Sequence, residues 1–199
     1  MKKESRAGQL AFVVQKHKAT SLHYDFRLEI GGVMPSWSVP KGPSLDSGVK
    51  RLAMPTSDHL MEYRHFEGVI PKGEYGAGPV MIWDEGTYNP EVEVSKGVRR
   101  QVLGKEEAEE VAKKSLEEGN LKFFLYGEKL RGSFALVRTK GFGGKESWLL
   151  IKHRDEYSQL GYDANDYDVS AASGRTLAQI AGQEELAESS GRRKAKKKK

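Results

Sequence analysis

Cysteine is absent from all 199 residues. That excludes a thiol nucleophile, thiolate metal sites and disulfides, and it suits a reducing compartment. Long apolar runs are also missing. None approaches the ~20 residues needed to cross a bilayer, and the opening stretch MKKESRAGQL lacks the apolar middle of a secretory signal. Helix-forming sequence is scarce too. A soluble, cytoplasmic, monomeric protein with no membrane partner is expected. The length suits one domain with tails, large enough to fold without a disulfide or metal staple.

Positive charge is concentrated in one place. The net charge is +5, yet Arg192, Arg193, Lys194, Lys196, Lys197, Lys198 and Lys199 alone supply seven positive charges, leaving −2 for the rest. Such a run is expected to be a disordered, solvated tail. As a mobile polycation it would also raise non-specific affinity for nucleic acid. Accordingly, 1–8 is read as a flexible tail, 9–182 as the folded domain and 183–199 as the disordered basic tail. Basicity of a tail says little about the domain, whose function must be read from particular residues.

Most of the domain reads as short strands. Gln9 to Gln15 is an apolar, β-branched run. Leu22 to Ile30 alternates and leads through the turn signal Gly31-Gly32 into Val33 to Val39. Pro35 within that run predicts an edge or a bulge. Lys50 to Met54, the stretch PVMIWDEG after the turn-rich KGEYGAG, and runs beginning at Leu121, Gly132 and Ser147 complete the set. Glu106 to Glu118 differs: it has strong helix formers, apolar Ala108, Val111, Ala112 and Leu116 at helical spacing, and Gly119 to stop it. A second short helix is expected at Arg175 to Ala181. The pattern predicts an all-β, mainly antiparallel fold, a compact closed barrel with one or two peripheral helices. Trp37, Trp83 and Trp148 lie in apolar strands and are assigned to the core.

The stretch HKATSLHYDFRLE, His17 to Glu29, carries the chemistry. Leu22, Tyr24, Phe26 and Leu28 share one strand face; His23, Asp25 and Arg27 share the other, roughly 6.5–7 Å apart at each step. The segment KATS can loop the chain back to bring His17 close. Two imidazoles and a carboxylate suit Mn²⁺, Fe²⁺, Co²⁺ or Zn²⁺ and leave positions open for water or substrate. A lone His-x-Asp is weak evidence, since most histidines on polar strand faces are merely solvated. Arg27 strengthens it, because a guanidinium fork is suited to an anion that also touches a metal. More cations and imidazoles follow: Lys41, Arg51, His59 and Tyr63 stand in VPKGPS, VKRLAM, SDHL and MEYRHF. His65 and His153 lack a partner pattern. Glu29 reads equally well as a partner of a metal-bound histidine and as a strand-end charge.

Taken in order, HKATSLHYDFRLE, SWSVPKGPS, KRLAM, FEGVIPKGEYGAG, IWDEGTY, GEKLRGSFALVR, WLLIKHRDEY and SGRTL give a chain that resembles the 3′-phosphoesterase domain of bacterial DNA ligase D and its stand-alone relatives. The likeness runs from about Gln9 to Ile180. It implies a Mn²⁺-dependent β-barrel that removes a 3′-terminal ribonucleoside from a primer end and then the remaining 3′-phosphate. It also implies His17, His23 and Asp25 as metal ligands, with Co²⁺, Zn²⁺ or another divalent ion as alternatives. Arg27 and His59 fall at positions that contact the scissile phosphate; Lys41, Arg51 and Tyr63 match further functional positions, chiefly for the monoesterase step. Thr20 and Ser57 depart from the family pattern, the second by removing a carboxylate ahead of His59. The implied substrates are DNA or DNA/RNA primer-template 3′ ends, with separate ligase, polymerase and Ku-type end-joining proteins acting in trans. The alternatives are a non-catalytic nucleic-acid-binding barrel and a non-haem Fe(II) oxygenase.

Overall fold

A computed structural model describes residues 8–142 and 145–182. The N-terminal tail expected at 1–8 and the basic tail expected at 183–199, Arg192 to Lys199 included, fall outside these residues except for Gly8.

The alternating runs become strands: β1 (Leu10–Lys18), β2 (Leu22–Leu28), β3 (Val33–Val39), β4 (Lys50–Leu60), β5 (Gly68–Ile70), β6 (Gly78–Ser95), β7 (Val98–Gln101), β8 (Asn120–Gly127), β9 (Arg131–Phe142) and β10 (Lys145–Lys152). Every pairing is antiparallel. The ladder runs β1-β2-β3-β4-β10-β9-β8-β6, and β6 pairs back with β1, so eight strands close a barrel. β5 and β7 attach to β6 outside that ring. Closure leaves no ring strand with a free edge. Pro35 sits at a break in the β3–β4 register, between Met34 and Ser36, as its missing N–H requires.

Residues two apart in each strand fill the barrel. Phe12 and Val14, Tyr24 and Phe26, Trp83, Phe123 and Leu125, and Phe134 and Leu136 are fully buried in one cluster. Trp37 and Trp148 join it, their rings edge to face at 5.8 Å. The helix α1 (Lys105–Glu118) inserts Ala108 and Ala112 into the same core. Gly119 ends it in the left-handed region, its N–H donating to the Leu116 carbonyl. After β10 the chain covers the barrel opening near Gly42: Tyr24 donates to Asn165, and the Trp83 ring N–H donates to the Tyr167 carbonyl. A short helix follows at 177–182.

The opposite faces of β1, β2 and β3 are buried as well, which an exposed barrel wall would not be. Val13, Met34 and Ile82 form a second small cluster outside the barrel, packed by Met61. Met61 opens a 3-10 turn, Met61–His65, that leads into β5. This turn and the 66–78 segment roof the outer wall, and the polar residues next to Val13 lie under that roof.

Candidate active site

His17 and His23 face each other directly across the β1–β2 hairpin, and Gln15 faces Asp25. Ala19, Thr20 and Ser21 make the turn between the strands. His17 is therefore brought close by cross-strand pairing within a regular hairpin, a tighter arrangement than the looped return expected from the sequence. The rings of His17 and His23 lie 4.9 Å apart. His17 Nδ1 is 3.6 Å from Asp25 Oδ2, and His23 Nε2 is 3.6 Å from Asp25 Oδ1. One ligand atom from each residue lies within 4.8 Å of the others.

The far ring nitrogens are already committed. His17 Nε2 is 2.7 Å from the Gly76 carbonyl, and His23 Nδ1 is 3.0 Å from the Ser21 carbonyl. A carbonyl can only accept, so each of those nitrogens carries its hydrogen. In the neutral rings His17 Nδ1 and His23 Nε2 then present lone pairs toward a carboxylate. Such a converging set is closed by positive charge: a hydrogen on His17 Nδ1 shared with Asp25, or a divalent cation in its place. Backbone-fixed tautomers of this kind are how metal-bound imidazoles are held, so the donor set fits a divalent ion of the Mn²⁺–Zn²⁺ series.

Next to this cluster lies a second one, built around a guanidinium. Arg27 is buried; it donates from Nη2 to Asp25 Oδ2 at 3.1 Å, from Nε to Gln15 Oε1 at 2.8 Å, and from Nη1 to His59 Nδ1 at 3.0 Å. Its guanidinium sits over the Tyr63 ring, 5.2 Å from the centroid. The Tyr63 ring contacts His59 at 4.9 Å and stacks on Phe66 at 5.2 Å. A guanidinium has no lone pair, so with the Arg27 bond made, His59 Nδ1 accepts and its hydrogen is on Nε2. Nδ1 is also 2.9 Å from the Ser57 carbonyl, a contact that would need the hydrogen on Nδ1 and so competes with the Arg27 bond. Thus the backbone at Ser57 contacts His59 where a carboxylate side chain was expected to be missed.

Burial opposes ionisation of Asp25, but the His17 hydrogen bond and the Arg27 and His23 charges outweigh it and hold the carboxyl below the ordinary carboxylate range. Burial and the Arg27 charge together depress His59, which favours a neutral ring. Burial raises the Tyr63 phenol, so it stays a neutral hydrogen-bond donor.

Of the residues singled out in the sequence, His17, His23, Asp25, Arg27, His59 and Tyr63 thus form one connected group. Lys41 is exposed in the turn after β3. Arg51 lies on the same side of β4 as the buried Ala53, with Nε buried and unpartnered among the described residues, and its charge acts on Asp46. No hydrogen bond, ion pair or ring contact among the described residues joins Lys41 or Arg51 to the group. Glu29 lies elsewhere: it accepts the Ala11 N–H and pairs with Lys105, the strand-end role. His65 is exposed and bonded to Arg64.

Sequence reasoning missed three contributors. Gln15 orients Arg27 and donates to the Tyr63 and Phe66 carbonyls, tying the roof to the barrel wall. Its signal was a lone amide in an apolar run, two residues before His17 on the same face. Gly76 supplies the carbonyl that fixes His17. Glu67 accepts from Ile82, Ser170, Ser173 and Arg175, which explains how the distant SGRTL segment is held. No local pattern links residues about a hundred positions apart.

Fold and site together define a closed β-barrel with a candidate divalent-metal centre on its outer wall, flanked by a buried guanidinium and an imidazole. Residues 15–138 match the family described as the DNA Ligase D 3′-phosphoesterase domain, and the chain belongs to that family. It is 44% identical over 153 residues to the multifunctional non-homologous end joining protein LigD of Pseudomonas aeruginosa, covering 77% of this chain and 16% of that protein. It is 36% identical over 167 residues to the multifunctional non-homologous end joining DNA repair protein LigD of Mycobacterium tuberculosis, covering 84% and 19%. The Mycolicibacterium smegmatis protein is 41% identical over 145 residues, covering 73% and 17%. The chain spans less than a fifth of the length of each of these relatives. Among the described residues no helix is long and apolar enough to cross a membrane.

Proposed function

We propose that the domain, 9–182, is a Mn²⁺-dependent phosphoesterase that processes DNA 3′ ends. It first hydrolyses the diester joining a terminal ribonucleoside to the primer, leaving a 3′-phosphate, and then hydrolyses that phosphate to a 3′-hydroxyl. The end-joining role named in the relatives supports DNA ends as the substrate class. The carrying observation is the pairing of two groups on one wall: His17, His23 and Asp25 converge through electron-pair donors, and Arg27 of the adjoining group is bonded directly to Asp25.

His17, His23 and Asp25 would hold the metal, which when bound supplies Lewis-acid polarisation of a phosphate oxygen and a water of lowered pKa. Arg27 neutralises charge that spreads over the phosphoryl oxygens as the bond to the leaving oxygen breaks, and Gln15 and Asp25 fix its plane. His59, neutral, offers its Nε2–H to a phosphate oxygen. Tyr63 carries the guanidinium on its ring face and offers a phenolic O–H to the same substrate. Lys41 and Arg51 are assigned to contacts with the product monoester or the DNA backbone, and Arg192 to Lys199 to non-specific DNA affinity. Ligase, polymerase and Ku-type activities would act on the cleaned end.

An end-labelled primer-template with a 3′-terminal ribonucleotide tests this. With Mn²⁺, gels are expected to show a shorter 3′-phosphate product followed by a 3′-hydroxyl product. Salt-sensitive binding with unchanged ends would instead support the non-catalytic barrel and overturn the proposal.

A further inference from the structure

Tyr75 is fully exposed, more so than any other large apolar side chain of the described chain, and no hydrogen bond, ion pair or ring contact holds its side chain. Its backbone is the opposite: fixed. The loop between β5 and β6 is closed by the Glu74 N–H on the Pro71 carbonyl and the Ala77 N–H on the Glu74 carbonyl, both at 3.1 Å. Gly76 follows with φ +76°, and its carbonyl accepts from His17. At Gly78, φ +136°, a Cβ would lie 2.1 Å from the Lys18 carbonyl, so the loop is pressed directly onto the end of β1. A backbone held by two turn hydrogen bonds thus presents an exposed aromatic ring one residue from the group that orients a metal ligand.

The same loop carries exposed Lys72, and Lys18, against whose carbonyl Gly78 packs, is exposed too; Glu74 is the one acid of the loop. On the other border of the site Leu60, next to His59, is also exposed. An exposed aromatic ring on a loop that also carries a cation, one residue from a group that orients a metal ligand, has the chemistry that binds nucleobases by their faces regardless of sequence.

We propose that Tyr75 is the stacking platform for the nucleobase at the 3′ terminus, setting the terminal phosphodiester against the metal cluster. This rests on the phosphoesterase reading above. Tyr75 contributes to binding through its ring and takes no part in bond breaking.

The test compares wild type, Tyr75→Ala and Tyr75→Phe on primer-templates whose 3′-terminal ribonucleotide either carries its base or is abasic, all with Mn²⁺. Tyr75→Ala is expected to raise KM about fivefold or more on the base-bearing end, the range of one stacked base, with kcat within twofold. Tyr75→Phe should match wild type, and on the abasic end all three should coincide. An unchanged KM for Tyr75→Ala on the base-bearing end overturns the proposal, as does an equal loss on the abasic end. Anisotropy of a labelled primer-template measures the same contrast in affinity without turnover. If wild type cleaves none of these ends, the phosphoesterase reading fails, and the platform still stands or falls on whether Tyr75→Ala weakens binding to the base-bearing end alone.

Discussion

Gln15 and Arg27, on neighbouring strands, are joined by a 2.8 Å hydrogen bond from the guanidinium Nε to the amide oxygen. The same amide donates to the Tyr63 and Phe66 carbonyls. One side chain thereby sets the plane of the buried Arg27 guanidinium and pins the roof above it. Gln15→Leu would leave a buried guanidinium N–H and two carbonyls without their partner. Denaturant unfolding is expected to show a loss of about 1–3 kcal/mol, and turnover of a 3′-phosphate primer should fall with it. Unchanged stability would remove Gln15 from the framework.

Gly78 controls the first cluster from a distance. Gly78→Ala places a methyl against the Lys18 carbonyl in a strained backbone region, so the loop that carries Gly76 must shift away from His17. Mn²⁺ affinity is expected to drop about 10- to 100-fold, as when other outer partners of metal ligands are lost, while the barrel core stays folded. Calorimetric titration of the variant checks this.

Asp84 is fully buried and accepts the N–H groups of Glu128, Lys129 and Leu130, closing the β8–β9 turn. Asp84→Ala leaves three amides without that acceptor. A destabilisation on the order of 3 kcal/mol is expected, with the metal cluster unaffected; full stability in thermal unfolding would contradict it.

The sequence made the wall legible more readily than its roof. Strict alternation in Leu22–Leu28 sorted Tyr24 and Phe26 inward and His23, Asp25 and Arg27 together, because strand geometry alone fixes that sorting. Gly31-Gly32 and Pro35 announced a turn and a bulge, and the spacing of Ala108 and Ala112 announced α1. Register across the β1–β2 hairpin was not legible, so Gln15 opposite Asp25 went unseen. Nor was it evident that the polar face of β2 would be buried, since Tyr63 reaches Arg27, and Met61 covers Val13 and Met34 beside it, only through the tertiary path of the chain. The apolar run at Gly78–Ser95 likewise hid how one long strand pairs with β1, β5, β7 and β8 at different points along its length.

His153 supplies a pH test away from the site. Burial, then the charges of Arg99, Lys122 and Lys152, lower its pKa from 6.5 to about 4. The unfolded chain therefore takes up this proton first, and the stability His153 confers is complete above pH 6.5 and declines as pH falls toward 4. Buried Asp84, raised to about 6, acts in the opposite sense between 3.8 and 6. The two partly cancel in wild type, so the informative quantity is a difference. His153→Gln should gain stability relative to wild type as pH falls from 6.5 to 4 and show no such trend above 7. A pH-independent difference in unfolding free energy would contradict the depressed imidazole.

The central claim is that His17, His23 and Asp25 bind one divalent cation. Isothermal titration of the whole chain with MnCl₂ measures it directly. Wild type is expected to take up one Mn²⁺ per chain, and His23→Ala and Asp25→Asn are expected to take up none at this site while keeping the wild-type near-UV circular dichroism. Equal stoichiometry and affinity in wild type and both variants would contradict the account.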